Sequence, residues 1–215
     1  MYLKLIVPAI LGLASLAMPA FADQYQLTLD HCTGGCGTAP FGTIDVTQKG
    51  VNTVNIAVSL IPGDKFVRTG FPGSFAFDLI GNPMITVSNL TGGWSAVSLN
   101  AGTLHFDGFG YLDYALTCGN PACGNGGGHG YAGPLSFDVT AAGLTPASFK
   151  ELSRNGDESA YFAVDILGSN NKTGVVGATL SQTQTSATPE PSSLLLLGTG
   201  VGLLGFSCFR RRHKA

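Results

Sequence analysis

The side chains best suited to chemistry in this 215-residue chain are its cysteines and a short run of histidine and aspartate residues. The four cysteines that lie outside the terminal apolar segments are Cys32, Cys36, Cys118 and Cys123. An even number of cysteines predicts disulfides if the chain is exported, and three pairings are open. Glycines within both pairs favour the two local bridges, because they let each loop turn tightly. A zinc site with His31 or His129 is the alternative, but neither cysteine spacing is the usual C-x-x-C.

A second group with chemical potential lies between residues 104 and 116. His105 and Asp107 are two positions apart, so on a strand both would face the same side, and Asp113 follows them. Such a group could bind calcium or act on a sugar. Aromatic residues that could stack on a sugar are Trp94, Tyr111 and Tyr114. The simpler interpretation is that the polar residues alternate along a solvated strand and the aromatic residues pack in a core.

The local signatures of common enzymes are missing from the sequence. It contains no G-x-S-x-G elbow, no H-E-x-x-H helix motif and no phosphate-binding P-loop. We therefore expect no catalytic residue, no metal site and no cofactor, and the chain is not expected to be an enzyme.

The elements that must position these side chains are strands. Apolar residues alternate with period two over 25–29, 54–60 and 135–139, which predicts half-buried strands. Further strand candidates, bounded by Gly, Pro, Asn or Asp, are 42–46, 74–79, 85–88, 96–99, 104–116, 160–166 and 175–180. One short helix is predicted over 145–152, where Thr145 and Pro146 resemble an N-cap and first-turn pair. The pattern predicts an all-β fold, a single antiparallel β-sandwich that is jelly-roll-like.

The charge balance of the central region excludes one class of partner. Residues 23–187 contain six Lys and Arg against twelve Asp and Glu. A protein that grips a phosphate backbone needs a basic stripe, so no nucleic acid partner is expected.

The N-terminus carries the pattern of a signal peptide. Lys4 precedes an apolar stretch at 5–17, and Ala20 and Ala22 form a small-x-small site for signal peptidase. Cleavage is expected after Ala22. The sequence therefore divides into a signal peptide (1–22), one exported domain (23–187) and a C-terminal segment (188–215).

The C-terminal segment combines three features in a fixed order. Pro189, Glu190 and Pro191 form a helix-free turn, because each proline disfavours helical backbone at the residue before it. Residues 194–209 follow without a charge, and as a helix they would span roughly 24 Å of a hydrocarbon core about 30 Å thick. The basic residues of the terminus are Arg210, Arg211, Arg212 and Lys214. Basic residues beside a span stay in the cytoplasm, so a transmembrane helix with its C-terminus inside is predicted.

This ordered tail resembles the sorting signal of PEP-CTERM proteins of Gram-negative bacteria. The resemblance implies that the tail enters the inner membrane transiently and that an exosortase, a membrane protease-transpeptidase, cuts near Pro189-Glu190-Pro191. The chain would be the substrate and not the enzyme, since its tail cysteine, Cys208, lies within the span. Proteins of this kind are associated with exopolysaccharide and are thought to end at the cell surface or in the extracellular matrix.

Two functions for the exported domain remain open from sequence. The first is a non-catalytic structural or adhesive protein of the surface or biofilm matrix, with exopolysaccharide as a partner. The alternative is a secreted carbohydrate- or calcium-binding module, which the aromatic and Asp-rich stretch at 104–116 favours. A eukaryotic GPI precursor fits less well, because a GPI signal ends in its hydrophobic tail and this chain ends in basic residues.

Overall fold

The computed structural model describes residues 22–69, 73–99, 104–119, 123 and 128–181, here termed the β domain. Within these ranges the chain forms thirteen strands and one short 3₁₀ helix, Pro146–Phe149. The strands are β1 (Ala22–Asp30), β2 (Gly42–Gly50), β3 (Thr53–Leu60), β4 (Lys65–Phe66), β5 (Phe75–Phe77), β6 (Thr86–Ser88), β7 (Trp94–Ser98), β8 (Leu104–Phe106), β9 (Gly110–Leu112), β10 (Tyr114–Cys118), β11 (Leu135–Thr140), β12 (Phe162–Leu167) and β13 (Thr173–Leu180).

Eleven of these strands form one antiparallel sheet. Its order is β6-β11-β3-β2-β1-β13-β12-β5-β10-β7, with β4 paired to β12 beside this path. The two edge strands, β6 and β7, follow each other in the chain and are joined by residues 89–93, which brings the two edges of the sheet together. The sheet is therefore curled and nearly closed, and the predicted all-β, antiparallel class is confirmed.

A phenylalanine-rich core fills the curled sheet. Phe137 on β11 lies with its ring centroid 5.7 Å from Phe75 and 6.2 Å from Phe77, although β11 and β5 are not neighbours in the sheet. Phe77 also stacks on Tyr114 at 5.3 Å. All four side chains are fully buried. Burial of each such ring contributes about 1.5–3 kcal/mol, so opposite halves of the sheet are held face to face by this cluster.

A second layer covers part of the outer face of the sheet. Strands β8 and β9 pair as a separate hairpin, and the buried side chains of Phe106, Phe109 and Leu112 pack on small residues such as Ala163. A Cβ atom on Gly177 of β13 would lie 2.5 Å from the Phe109 ring, so only glycine lets the hairpin approach this closely. This covering explains why all six residues of β12 are buried on both faces.

Several sequence predictions need correction in detail. The single strand predicted at 104–116 is wrong, because the stretch forms β8, β9 and the start of β10. Gly108 and Gly110 adopt φ values of +81° and +75°, which reverse the chain between β8 and β9. Strand β4 was not predicted. The predicted helix at 145–152 is shorter than expected and of the 3₁₀ type, with Pro146 as its first residue.

The predicted membrane span cannot be compared with this fold, because residues 194–209 lie outside the described ranges. Among the residues that the structure does describe, no helix is long and apolar enough to cross a membrane.

Candidate functional site

Both ends of the β domain emerge at the same end of the sheet. Strands β1 and β13 are antiparallel neighbours in which Tyr25 lies opposite Leu180. Beyond this pair, the Ser181 N–H donates to the Gln24 carbonyl at 2.9 Å. We term this the terminal end: Ala22, Ser181, the connections 51–52 and 78–85, and residues 141–154 of the β11–β12 connection. Further along that connection, Glu158 lies 3.3 Å from His31, which follows β1 at the opposite end. Of the two residues predicted for signal peptidase, Ala22 is the exposed first residue of β1, whereas Ala20 lies outside the described residues.

The opposite end of the sheet carries both disulfides and is termed the disulfide end. Cys32 pairs with Cys36 in the β1–β2 connection, and Cys118 at the end of β10 pairs with Cys123. The Cα atoms are 5.4 Å apart in each pair. The structure thus forms the two local bridges that the sequence favoured among its three pairings.

An aspartate, Asp30, fixes the disulfide loop at Cys32–Cys36 through hydrogen bonds. Its carboxylate also lies close to both sulfur atoms, an arrangement that could suggest a metal site. Asp30 Oδ1 accepts the Cys32 N–H and Asp30 Oδ2 accepts the Cys36 N–H, both at 2.9 Å. The carboxylate oxygen and the two sulfurs lie within 4.8 Å of one another. Because the sulfurs are bonded to each other, they are not thiolate ligands, and the carboxylate already accepts two backbone hydrogen bonds. The two hydrogen bonds that Asp30 accepts from the loop backbone account for its position beside the disulfide.

One known family matches the segment that follows the β domain in the sequence. Residues 187–212 match the family model of the PEP-CTERM protein-sorting motif. The chain carries a PEP-CTERM sorting motif. The matched stretch contains Pro189, Glu190 and Pro191 together with the three terminal arginines, while Lys214 follows it. No curated protein and no solved structure matches the chain.

A PEP-CTERM motif implies export, membrane-associated sorting and processing by an exosortase, and its distance from the fold can be bounded. Residues 182–186 alone separate Ser181 from the matched segment. Even a fully extended chain advances at most about 3.6 Å per residue, so Pro189 lies within roughly 29 Å of Ser181. Along the sequence, the matched segment therefore follows Ser181 after five residues. The basic residues Arg210, Arg211, Arg212 and Lys214 also lie outside the described residues.

Two buried carboxylates form a polar cluster at the terminal end of the β domain. Asp78 is 0% exposed and Asp113 is 1% exposed. The Asp113 N–H donates to Asp78 Oδ1 at 2.6 Å, and Arg154 Nη2 donates to Asp113 Oδ1 at 2.6 Å. Asp78 Oδ2 is buried without a hydrogen-bond partner. Burial raises the pKa of Asp78 to about 7, against the hydrogen bond from Asp113, which lowers it.

The same cluster fixes the β5–β6 connection, residues 78–85. The Asn82 amide, oriented to satisfy both of its partners, donates to Asp113 Oδ2 at 2.7 Å. The Tyr114 hydroxyl donates to the Pro83 carbonyl at 2.7 Å, and burial raises the pKa of Tyr114 to about 12, so this donor keeps its proton. The Ile80 N–H donates to the Ser148 carbonyl of the 3₁₀ helix at 2.9 Å. These bonds hold the loop in one conformation.

A third buried carboxylate, Asp138, joins three strands near the same end. It accepts hydrogen bonds from Lys49 Nζ (2.6 Å), Asn89 Nδ2 (2.6 Å) and Asn55 Nδ2 (2.8 Å). Burial acts to raise the pKa of Asp138, but these donors outweigh it and the net pKa is lowered. Asn89 begins an Asn-Leu-Thr sequence that matches the N-glycosylation sequon, and in the fold its amide is bound to Asp138.

The structure brings only part of the predicted sugar- or calcium-binding group together. His105 and Asp107 lie on the exposed hairpin, 3.9 Å apart, whereas Asp113 is buried and bound to Arg154. Of the aromatic side chains, Tyr114 and Trp94 are buried in the core, where Trp94 packs against Phe66. Tyr111, the partly exposed one, contacts His105 with ring centroids 5.2 Å apart. His105, Asp107 and Tyr111 thus lie together on the hairpin, whereas Asp113, Tyr114 and Trp94 are part of the buried interior.

Removal of one disulfide is expected to have a moderate effect on stability. Changing Cys118 and Cys123 together to Ser should lower the free energy of unfolding by about 2 kcal/mol, because a bridge across five residues restricts the unfolded chain modestly. Urea unfolding with and without reductant would measure it. Cys208→Ser is the matched control and should have no effect. A protein that is equally stable after both changes would contradict a stabilising role for this bridge.

Proposed function

We propose that this protein is a sorting substrate whose tail is held briefly in the inner membrane while an exosortase cuts it and releases the β domain to the cell surface. The observation that carries the proposal is the match of residues 187–212 to the PEP-CTERM motif. The position of the motif in the sequence supports it, because a cut at 189–191 would remove no residue of the β domain.

Each part of the tail has a physical task in this proposal. Pro189 and Pro191 keep the chain around Glu190 out of a helix, which suits recognition by a protease. The uncharged stretch at 194–209 is short for a bilayer, so it can serve as a temporary anchor with the arginine side chains snorkelling to the interface. Arg210, Arg211 and Arg212 keep the C-terminus on the cytoplasmic side, so that the PEP residues face outward with the domain.

For the released β domain we propose a non-catalytic structural or adhesive role in the extracellular matrix, with exopolysaccharide as a partner. The buried carboxylates support it, since Asp78, Asp113 and Asp138 each bind groups that fix loops and strands. Two local disulfides at one end suit a protein that must persist outside the cell. Purified β domain that hydrolyses glycans or esters, with single substitutions abolishing that activity, would contradict this role.

The sorting proposal is tested by changing one carboxylate in the native host. Glu190→Gln should prevent processing, so that the full-length chain accumulates in the inner membrane and the shorter released form disappears from the medium. Immunoblots of membrane, cell-surface and culture fractions would measure both forms. Glu158→Gln makes the same chemical change at an exposed residue of the β domain and should leave processing unchanged. Normal processing of Glu190→Gln would overturn the proposal.

A further inference from the structure

The terminal end carries an unusual share of the exposed apolar side chains. Six large apolar side chains are exposed in the described part of the chain, and four of them lie in the connections of this end. They are Val51 (81% exposed), Ile80 (57%), Met84 (84%) and Leu152 (44%). The other two, Val97 and Tyr111, lie on strands β7 and β9, so none of the six lies in the described connections of the disulfide end.

These apolar side chains are carried by loops that are bound to one another. The Ala141 N–H donates to the Asn52 carbonyl at 3.1 Å, which joins the loop of Val51 to the β11–β12 connection. The bond from Ile80 to Ser148 joins the β5–β6 loop to the same connection. Ile80 and Met84 are therefore exposed on a loop that hydrogen bonds already fix, and their exposure does not result from a lack of structure.

The three cations of the terminal end each lie within 3.1 Å of a carboxylate, and Glu151 lies 3.9 Å from the Arg154 guanidinium. Lys150 lies 3.1 Å from Asp23, Lys49 lies 2.6 Å from Asp138, and Arg154 lies 2.6 Å from Asp113. Carboxylates that are buried, as Asp78 is, or paired with cations repel anionic lipid headgroups less than free surface carboxylates do. The composition of the terminal end is therefore compatible with a lipid surface.

The point at which the chain leaves the β domain, after Ser181, determines which surface the terminal end can reach. The β domain ends at Ser181, and the uncharged stretch begins at Leu194, so the two are separated by at most about 47 Å even in a fully extended chain. A tether of this length keeps the terminal end at a high effective concentration near the bilayer, which lets a weak apolar contact become occupied. A free domain in solution has no such advantage.

We propose that the terminal end docks on the outer surface of the membrane while the tail is inserted, with Val51, Ile80, Met84 and Leu152 contacting the lipid. This inference rests on the proposed function, because it requires the tail to be in the bilayer. The contact strength scales with the apolar area removed from water, and four side chains give a reversible contact rather than an anchor. Docking would end when the tail is cut and the tether is lost.

The test uses the full-length chain reconstituted in vesicles that contain lipids brominated near the headgroup. Met84→Trp and, separately, Val51→Trp place a fluorescent reporter at the terminal end, and Thr38→Trp places the same reporter at the exposed β1–β2 connection of the disulfide end. Trp94 is buried in every variant and supplies a constant background. Bromine quenches at short range, so the terminal reporters should lose fluorescence at least about twofold more than the Thr38→Trp reporter.

Vesicle flotation in the same samples distinguishes docking of the terminal end from insertion of the tail. Chains that float, with terminal reporters quenched no more than the Thr38→Trp reporter, would overturn docking and leave the sorting proposal intact. Chains that fail to float would contradict tail insertion itself. A blue shift of the Met84→Trp reporter that grows with protein concentration without lipid would show that a second copy covers this end, and would also overturn docking on the membrane.

Discussion

Replacing Arg154 by Met is expected to lower the free energy of unfolding by about 2 kcal/mol at pH 7, less than for a fully buried pair because the Arg154 side chain is 42% exposed. The guanidinium donates to Asp113 at 2.6 Å, and Asp113 lies buried beside a second buried carboxylate, Asp78. Without the cation, the buried Asp113 carboxylate loses its charged partner in a site of low polarity, which costs free energy. Urea unfolding at pH 7 measures the loss.

Two comparisons separate loss of charge from loss of packing in this variant. Arg154→Lys keeps the positive charge and should recover part of the stability, although it cannot reproduce the planar geometry of the guanidinium. Lys172→Met removes an exposed cation at the disulfide end and should change stability by less than about 0.5 kcal/mol. Equal effects from Arg154→Met and Lys172→Met would show that the buried carboxylates do not depend on Arg154.

The strands that sequence predicted well are those with one buried face. In β1, β3 and β11 the apolar residues alternate with polar ones, and the structure buries the apolar set, as at Tyr25, Ile56 and Phe137. Alternation is a local signal, so it needs no knowledge of the partner strand. The prediction of one strand at 104–116 was wrong because the signal is only local. Its apolar residues serve two different layers, the hairpin and the main sheet, and local periodicity does not distinguish them.

The PEP-CTERM motif could be predicted from the sequence, whereas the carboxylate cluster at the terminal end could not. The PEP-CTERM motif was recognisable because its prolines, uncharged stretch and arginines follow one another within the matched 187–212. The cluster of Asp78, Asp113 and Arg154 was missed, because its members are 35 and 41 residues apart and meet through strand pairing. Phe77 of β5 pairs with Tyr114 of β10, which places the aspartates next to that pair. Correct pairing of β5 with β10 was the missing information.

The raised pKa of Asp78 predicts that replacing this residue stabilises the protein, whereas replacing Arg154 destabilises it. Its value of about 7 in the fold lies above the ordinary 3.8 expected in the unfolded chain. Between these pH values the folded state holds a proton that the unfolded state releases, so stability falls as the pH rises from about 4 to about 7. Above that window the fold contains a buried charge whose Oδ2 atom has no hydrogen-bond partner.

Asp78→Asn is therefore expected to stabilise the protein at pH 8 by roughly 3 kcal/mol, since each unit of pKa difference corresponds to about 1.4 kcal/mol. The amide oxygen can still accept the Asp113 N–H, and the new NH₂ group carries no charge. Urea midpoints at pH 4, 6 and 8 should show the gain shrinking toward zero at the lowest pH. Asp107→Asn, at an 87% exposed carboxylate, is the matched control and should show no such trend. A gain that is constant across this range, or absent at pH 8, would mean that Asp78 is not the group whose ionisation weakens the terminal end.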